Sequence, residues 1–316
     1  MRVNTGFNRR PAFGRRDVLK ILAASAMASW FWPAVGGARS EPVLRRKIPS
    51  TGEAIPIIGL GSWITFNVGN DPVARDACAT VMDNFIDAGG RMIDSSPMYG
   101  SSQDVIGYGL EKIGKTDRVF STDKVWTVFG GSGAAQMEES RKRWHVNRFD
   151  LMQVHNLVDW EEHLPMLFEK KAAGRIRYVG ITTSESRRHE AFEKIMRTEP
   201  LDFVQVSYNI RNREVEDRLL PLARDRGIAV IANRPFQQRA LIDWISRYPL
   251  PSWAAEIDCA NWAQFLLKFI VSHPAVTCAI PATTRVDHVL ENMGAARGRL
   301  PDRAMRSKMA DYVERL

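Results

Sequence analysis

Four side chains that can move or steer a proton stand at or just after the ends of short apolar runs. Asp94 closes "RMID", Tyr99 follows it by five residues, Lys124 closes "RVFSTDK" and His155 closes "FDLMQVH". Singly, each has a plain structural explanation: a turn cap, a snorkelling charge, a satisfied core imidazole. Together they suit one task. A phenol titrates near 10 and is a poor acid at neutral pH, and a neighbouring ammonium stabilises the phenolate and lowers that value. A carboxylate beside the ammonium would keep it charged and held in place. An imidazole can hydrogen-bond a carbonyl and orient it against the phenol. Such an ensemble donates a proton to oxygen while hydride reaches carbon, which is carbonyl reduction.

The four groups must share one rim, and the surrounding pattern supplies it. Apolar runs end near positions 61, 94, 124, 155, 182, 207, 233 and 281, at steps of 33, 30, 31, 27, 25, 26 and 48 residues. Between them the spacing is helical: Val73, Ala77, Val81 and Phe85 recur every four residues, and 215–227 and 261–273 behave similarly, the former stopping at Gly227. This rhythm predicts an α/β fold, a (β/α)8 TIM barrel, whose chemistry gathers at the C-terminal ends of the strands. A doubly wound sheet competes, but "GLGSW" lacks the glycine fingerprint expected after its first strand. The long last step, rich in Pro and Trp, predicts a loop with short helical pieces over the barrel mouth. "SRKRWH" (140–145) reads as the solvated face of a helix, and the scattered tryptophans as packing.

The formal charge of +8 on 316 residues does not point to nucleic acid, because the first 38 residues carry +5 of it. Residues 1–38 instead read as a secretory signal: basic residues, an apolar run from Ile21 to Val35, then Gly36, Gly37 and Ala38. Arg15-Arg16 followed by Val18, Leu19 and Lys20 resembles the twin-arginine type, so the twin-arginine export machinery is the expected partner and the periplasm the expected location. Residues 39–316 then form a single domain, with no later segment long and apolar enough to span a bilayer. Cys78, Cys259 and Cys278 have neither metal-ligand nor disulfide-framework spacing and read as small core residues.

Beyond the four groups, "GRMIDSSPMYGSSQDVIGYGLE", "STDKVW", "DLMQVHN", "GRIRYVGITT", "VQVSYNIRNR" and "IPATTRVDHVLEN" together resemble the aldo-keto reductase superfamily across residues 52 to 296. The resemblance implies Tyr99 as acid/base, Lys124 and Asp94 tuning it, and His155 orienting a small carbonyl substrate. It also implies NADP(H) in preference to NAD(H), with no metal. The family holds its nicotinamide with a Ser-Asn pair and a glutamine, matched here by Thr182, Thr183 and Gln205. An aromatic residue that stacks on the nicotinamide is replaced by Asn233 in "ANRPF", which also brings Arg234 and Phe236. A basic residue after "IP" that binds the adenosine phosphate is replaced by Ala282, with Arg285 and His288 as its substitutes; Thr283, Thr284 and Asn292, together with Gly61, Ser62 and Trp63, are further cofactor contacts. A nucleotide-binding sensor or interaction protein that keeps this fold with little turnover is the alternative reading.

Overall fold

The computed structural model describes residues 41–127 and 131–316; the signal reading of residues 1–38 lies outside the described residues. The unit Pro42–Leu316 is built on a curled sheet. A short antiparallel pair, β1 (Arg45–Lys47) and β2 (Ala54–Pro56), precedes eight parallel strands. These are β3 (Leu60–Gly61), β4 (Met92–Asp94), β5 (Phe120–Val125), β6 (Phe149–His155), β7 (Ile176–Thr182), β8 (Phe203–Ser207), β9 (Ala229–Asn233) and β10 (Cys278–Ala279). They pair in chain order. Bridges Ile58↔Ala279 and Gly61↔Ala282 join the first and last strands, with Gly59 N donating to Ala279 O at 2.8 Å. The closure is tight: a Cβ on Gly61 would lie 2.9 Å from the Ile280 carbonyl, so only glycine lets these backbones approach.

The expected strand ends agree with the observed ones to within a residue or two, and the first run departs from expectation in kind. "IPIIGLG" divides between β2, which pairs with β1, and β3, which enters the barrel sheet beside β4. The segment 215–227 likewise opens as a 3-10 turn (Glu214–Glu216) and becomes α-helical only over Leu219–Asp225. Pro221 is tolerated only in a first turn, which sets that start. Elsewhere the caps follow the sequence. Asp71 accepts from Val73 N and Ala74 N at 2.9 and 3.2 Å and Pro72 opens helix Pro72–Asp87, while Asn261 caps helix Trp262–Val271.

The core lies in two places. Strand side chains of one parity fill the barrel with Met92, Phe120, Leu151, Tyr178, Phe203, Ala229 and Ile231, plugged below by Ile48 and Ile55 of the N-terminal pair. Side chains of the other parity pack against the helices. The three cysteines are buried thiols. Trp144 is fully buried and Ser140 nearly so, which corrects the reading of 140–145 as solvated throughout; Lys142 and His145 alone are exposed there. After β9 the chain forms a short helix, Ala240–Ile245, and a 3-10 turn, Ser252–Ile257. Buried Lys268 donates to the carbonyls of Ile257 at 2.7 Å and Arg299 at 2.9 Å, tying this insertion to the body. Among the described residues no helix is long and apolar enough to cross a membrane.

Candidate active site

Strand alternation carries the site. Two residues beyond the apolar layer, the inward positions become Asp94, Thr122, Gln153 and Gln205; the next inward positions are Lys124, His155, Thr182, Ser207 and Asn233. A polar layer thus sits on an apolar plug, and most of its groups pair with one another, although Gln153 Oε1 is buried without a hydrogen-bond partner. Lys124 Nζ donates to Asp94 Oδ2 and to the Ser95 carbonyl, both at 2.7 Å. Asp94 Oδ1 accepts from Gln205 Nε2 at 2.9 Å, with Thr122 Oγ1 more distant at 3.5 Å. The Lys124 side chain has no exposure and that of Asp94 has 3%, so the pair exists because each charge is matched.

Tyr99 arrives on a turn. Tyr99 N donates to the Ser96 carbonyl at 3.0 Å, Pro97 supplies the second turn position, and Met98 N donates to Ser96 Oγ at 3.2 Å. Gly100 follows at φ 61, where a Cβ would strike the Asn67 side chain. Lys124 Nζ lies 5.1 Å from the centre of the phenol ring, and the ring meets His155 edge-on at 5.8 Å between centroids.

The electrostatics depart from the simple expectation. Burial raises the Tyr99 phenol, and the opposing pull of Lys124 does not overcome it, so the phenol's value lies above its ordinary 10.0. The neighbouring ammonium tempers the rise without reversing it. Burial, followed by the Lys124 charge, pushes His155 down to about 3, so the imidazole is neutral. His155 therefore adds stability that is present above its unfolded value of 6.5 and is lost as pH falls from there towards about 3. The expected result is a His155 NMR signal that does not titrate between about pH 5 and pH 8, the window in which an ordinary histidine does; a midpoint near 6.5 would contradict this environment.

A cavity of about 880 Å³ opens above these groups. Asp94, Tyr99 and His155 line it, whereas Lys124 lies behind them. The residues matched to a nucleotide, Gly61, Ser62, Trp63, Thr182, Gln205, Asn233, Arg234, Phe236, Thr283, Thr284, Arg285, His288 and Asn292, all line it too. Thr183 does not. It is fully buried, and its hydroxyl accepts from Glu185 N at 3.1 Å to shape the turn after β7, while Ser184 takes the wall position. Asn233 accepts from Ser207 Oγ at 2.8 Å and reaches Gln205 Oε1 at 3.4 Å, extending the polar layer where an aromatic face was expected.

Sequence reasoning missed Ser96, whose hydroxyl lies 2.8 Å from His155 Nδ1, because a contact across 59 residues leaves no local signal. It also missed Ile64, a β-branched residue at φ 65 that is 62% exposed and lines the cavity. Such strain persists only where the surroundings enforce it. The insertion after β9 supplies Pro235, Gln238, Ile242 and Ser246 to the same cavity.

The donor set fits a dinucleotide. The cavity wall carries Arg285, His288 and the hydroxyls of Thr283 and Thr284, and helix Val286–Gly294 begins among them without a side-chain cap, leaving N-terminal N–H groups for an anion. The same wall also carries the neutral amides of Gln205 and Asn233 and the aromatic side chains Trp63 and Phe236.

The chain is similar to Aldo-keto reductase YhdN of Bacillus subtilis, at 29% identity over 58% of this chain and 59% of that protein, so that match spans under two thirds of the relative. It is similar to an NADH-specific methylglyoxal reductase of Escherichia coli at 27% identity, covering 85% of this chain and all of that protein (100%). Its fold matches a crystal structure of an aldo/keto reductase from Klebsiella pneumoniae in complex with NADP and acetate, with a TM-score of 0.70 and 25% identity over 83% of this chain and 93% of that one. With a match to the aldo/keto reductase family over residues 57–308 and the barrel and polar rim described above, this chain belongs to the aldo/keto reductase family.

Proposed function

We propose that this protein reduces small aldehydes or ketones, or oxidises the corresponding alcohols, using a nicotinamide nucleotide, with NADP(H) preferred to NAD(H). The observation that carries the reading is the buried Lys124–Asp94 pair set against Tyr99, with neutral His155 beside it at the floor of a nucleotide-sized cavity. When bound, the nucleotide supplies the hydride; the chain's own groups handle the oxygen. Tyr99 holds the proton that the carbonyl oxygen takes up. Lys124 stabilises the phenolate left behind, and Asp94 keeps that ammonium charged and fixed. His155, being neutral, donates a hydrogen bond that orients the carbonyl. Gln205, Thr182 and Asn233 are suited to the nicotinamide end, and Arg234, Thr283, Thr284, Arg285 and Asn292 to the phosphates.

The test is turnover of purified protein with NADPH and NADH across a carbonyl panel. The panel begins with methylglyoxal, the substrate in the name of the Escherichia coli relative. Nucleotide binding without turnover on any member would return the protein to the sensor reading, against which four assembled proton-handling groups already weigh.

Cofactor preference has its own test. Arg285 forms a two-pronged pair with Asp287, Nε to Oδ1 at 3.0 Å, and holds that carboxyl down to about 2. Both side chains are exposed, so the pair is weak and exchangeable for a phosphate. Arg285→Ala is expected to weaken NADPH binding about threefold to tenfold while leaving NADH unchanged, the scale of one screened charged hydrogen bond. Fluorescence titration with both nucleotides measures this; equal loss for the two would remove Arg285 from phosphate recognition.

Export belongs to the same proposal. The support is the arginine pair and apolar run within residues 1–38, together with an insertion that lines the cavity and could retain a nucleotide loaded before transport. Fractionation with N-terminal sequencing tests it, and protein found only in the cytoplasm with residues 1–38 intact would defeat it.

A further inference from the structure

We propose that Ser96 is a positioning residue that holds His155 in the tautomer carrying hydrogen on Nε2. Ser96 is fully buried, its Oγ lies 2.8 Å from His155 Nδ1, and the same oxygen accepts from Met98 N at 3.2 Å. A hydroxyl has one proton to give and two lone pairs. With Met98 N–H directed at one lone pair, the hydroxyl proton is free for Nδ1, and a neutral imidazole that accepts at Nδ1 carries its hydrogen at Nε2. The opposite tautomer would donate from Nδ1 to the second lone pair and strand the hydroxyl proton in a buried site, an unmade hydrogen bond where water cannot replace it. Burial keeps the ring neutral, so a choice of tautomer exists to be made.

The consequence rests on the carbonyl-reduction reading. His155 lines the cavity and Nδ1 is turned to Ser96, so Nε2 is the nitrogen offered to a bound oxygen. Protonated, it donates alongside Tyr99; unprotonated, it would present a lone pair to a lone pair. Asp94 and Lys124 tune the acid, whereas Ser96 acts through His155 on substrate orientation.

Full-length protein labelled with ¹⁵N-histidine gives a direct measurement, since the chain has only six histidines and a His155→Asn variant identifies the signal. The expected parent spectrum shows His155 unprotonated at Nδ1 and protonated at Nε2; the reverse pattern overturns the proposal. This arm needs no Ser96 variant, so it stands even if Ser96→Ala folds poorly. In Ser96→Ala the preference should be lost, and kcat/KM for a turned-over carbonyl should fall about tenfold, the scale of one hydrogen bond, with nucleotide affinity unchanged. An unchanged ring spectrum in that variant would also overturn it. Absence of turnover in the parent would count against the reductase reading alone, because the ring spectrum is read without substrate.

Discussion

Tyr99→Phe is expected to lower kcat by about 10²-fold or more while leaving nucleotide affinity within a small factor, the range for loss of a general acid. The benzene ring occupies the same space, keeps its edge contact with His155 and keeps its 5.1 Å distance from the Lys124 ammonium. Folding is therefore preserved, and the change isolates the hydroxyl. The parent's phenol, raised above 10.0 by burial, stays protonated across the neutral range and is available as a donor for reduction. Alcohol oxidation needs the phenolate instead, so its rate should climb with pH over a range in which reduction is flat. Steady-state rates in both directions, measured for parent and variant with one carbonyl–alcohol pair, decide the matter. Full reductive turnover by the variant would sink the assignment of Tyr99.

Lys124→Met is expected to cost both stability and activity. The methionine keeps an apolar stem, but the substitution strands Asp94 as an unmatched charge with only 3% side-chain exposure. Breaking a buried pair on one side costs about 3–5 kcal/mol, whereas replacing both charges is often neutral. Lys124→Met/Asp94→Asn should therefore recover most of the lost stability without recovering activity. Urea unfolding at neutral pH measures the first, and a double variant no more stable than the single one would refute the argument. The sign with pH follows from the ammonium. Burial pulls Lys124 down, but Asp94 and its other acidic neighbours outweigh that and hold it above 10.5. The contribution from the Lys124 ammonium is thus present below 10.5 and is lost as pH rises through the raised value. Losing Lys124 also removes the neighbour that lowers the phenol most among the described residues, so the basic limb of the oxidation profile should move further up. An unmoved limb would leave Lys124 with a purely structural role.

Asp94, Lys124 and His155 were legible before any coordinates because their positions follow from local rules. Alternation along a strand and the four-residue recurrence of the intervening helices set where each strand ends, and the roughly thirty-residue step makes those ends neighbours on one rim. Tyr99 followed for the same reason, carried on a short turn whose Ser, Pro and Gly are turn chemistry. The cavity wall was readable for similar reasons, since most of its residues lie just beyond strand ends. What tertiary structure decided was everything that depends on which surface covers a group. The sequence predicted a phenol lowered by its ammonium; desolvation, which only the packed cavity sets, reversed the direction. Thr183 and its neighbour Ser184 exchanged places because the turn after β7 consumes the threonine hydroxyl. Arg285 proved to be engaged with Asp287, two residues away, through a pairing that requires a particular turn geometry and not only proximity in the chain. Ser96, just after β4, met His155 at the end of β6 across the intervening β5, over a separation for which sequence periodicity carries no information. Local patterning thus selects which side chains reach the rim, while burial and long-range packing select their charge, their tautomer and the partner each one holds.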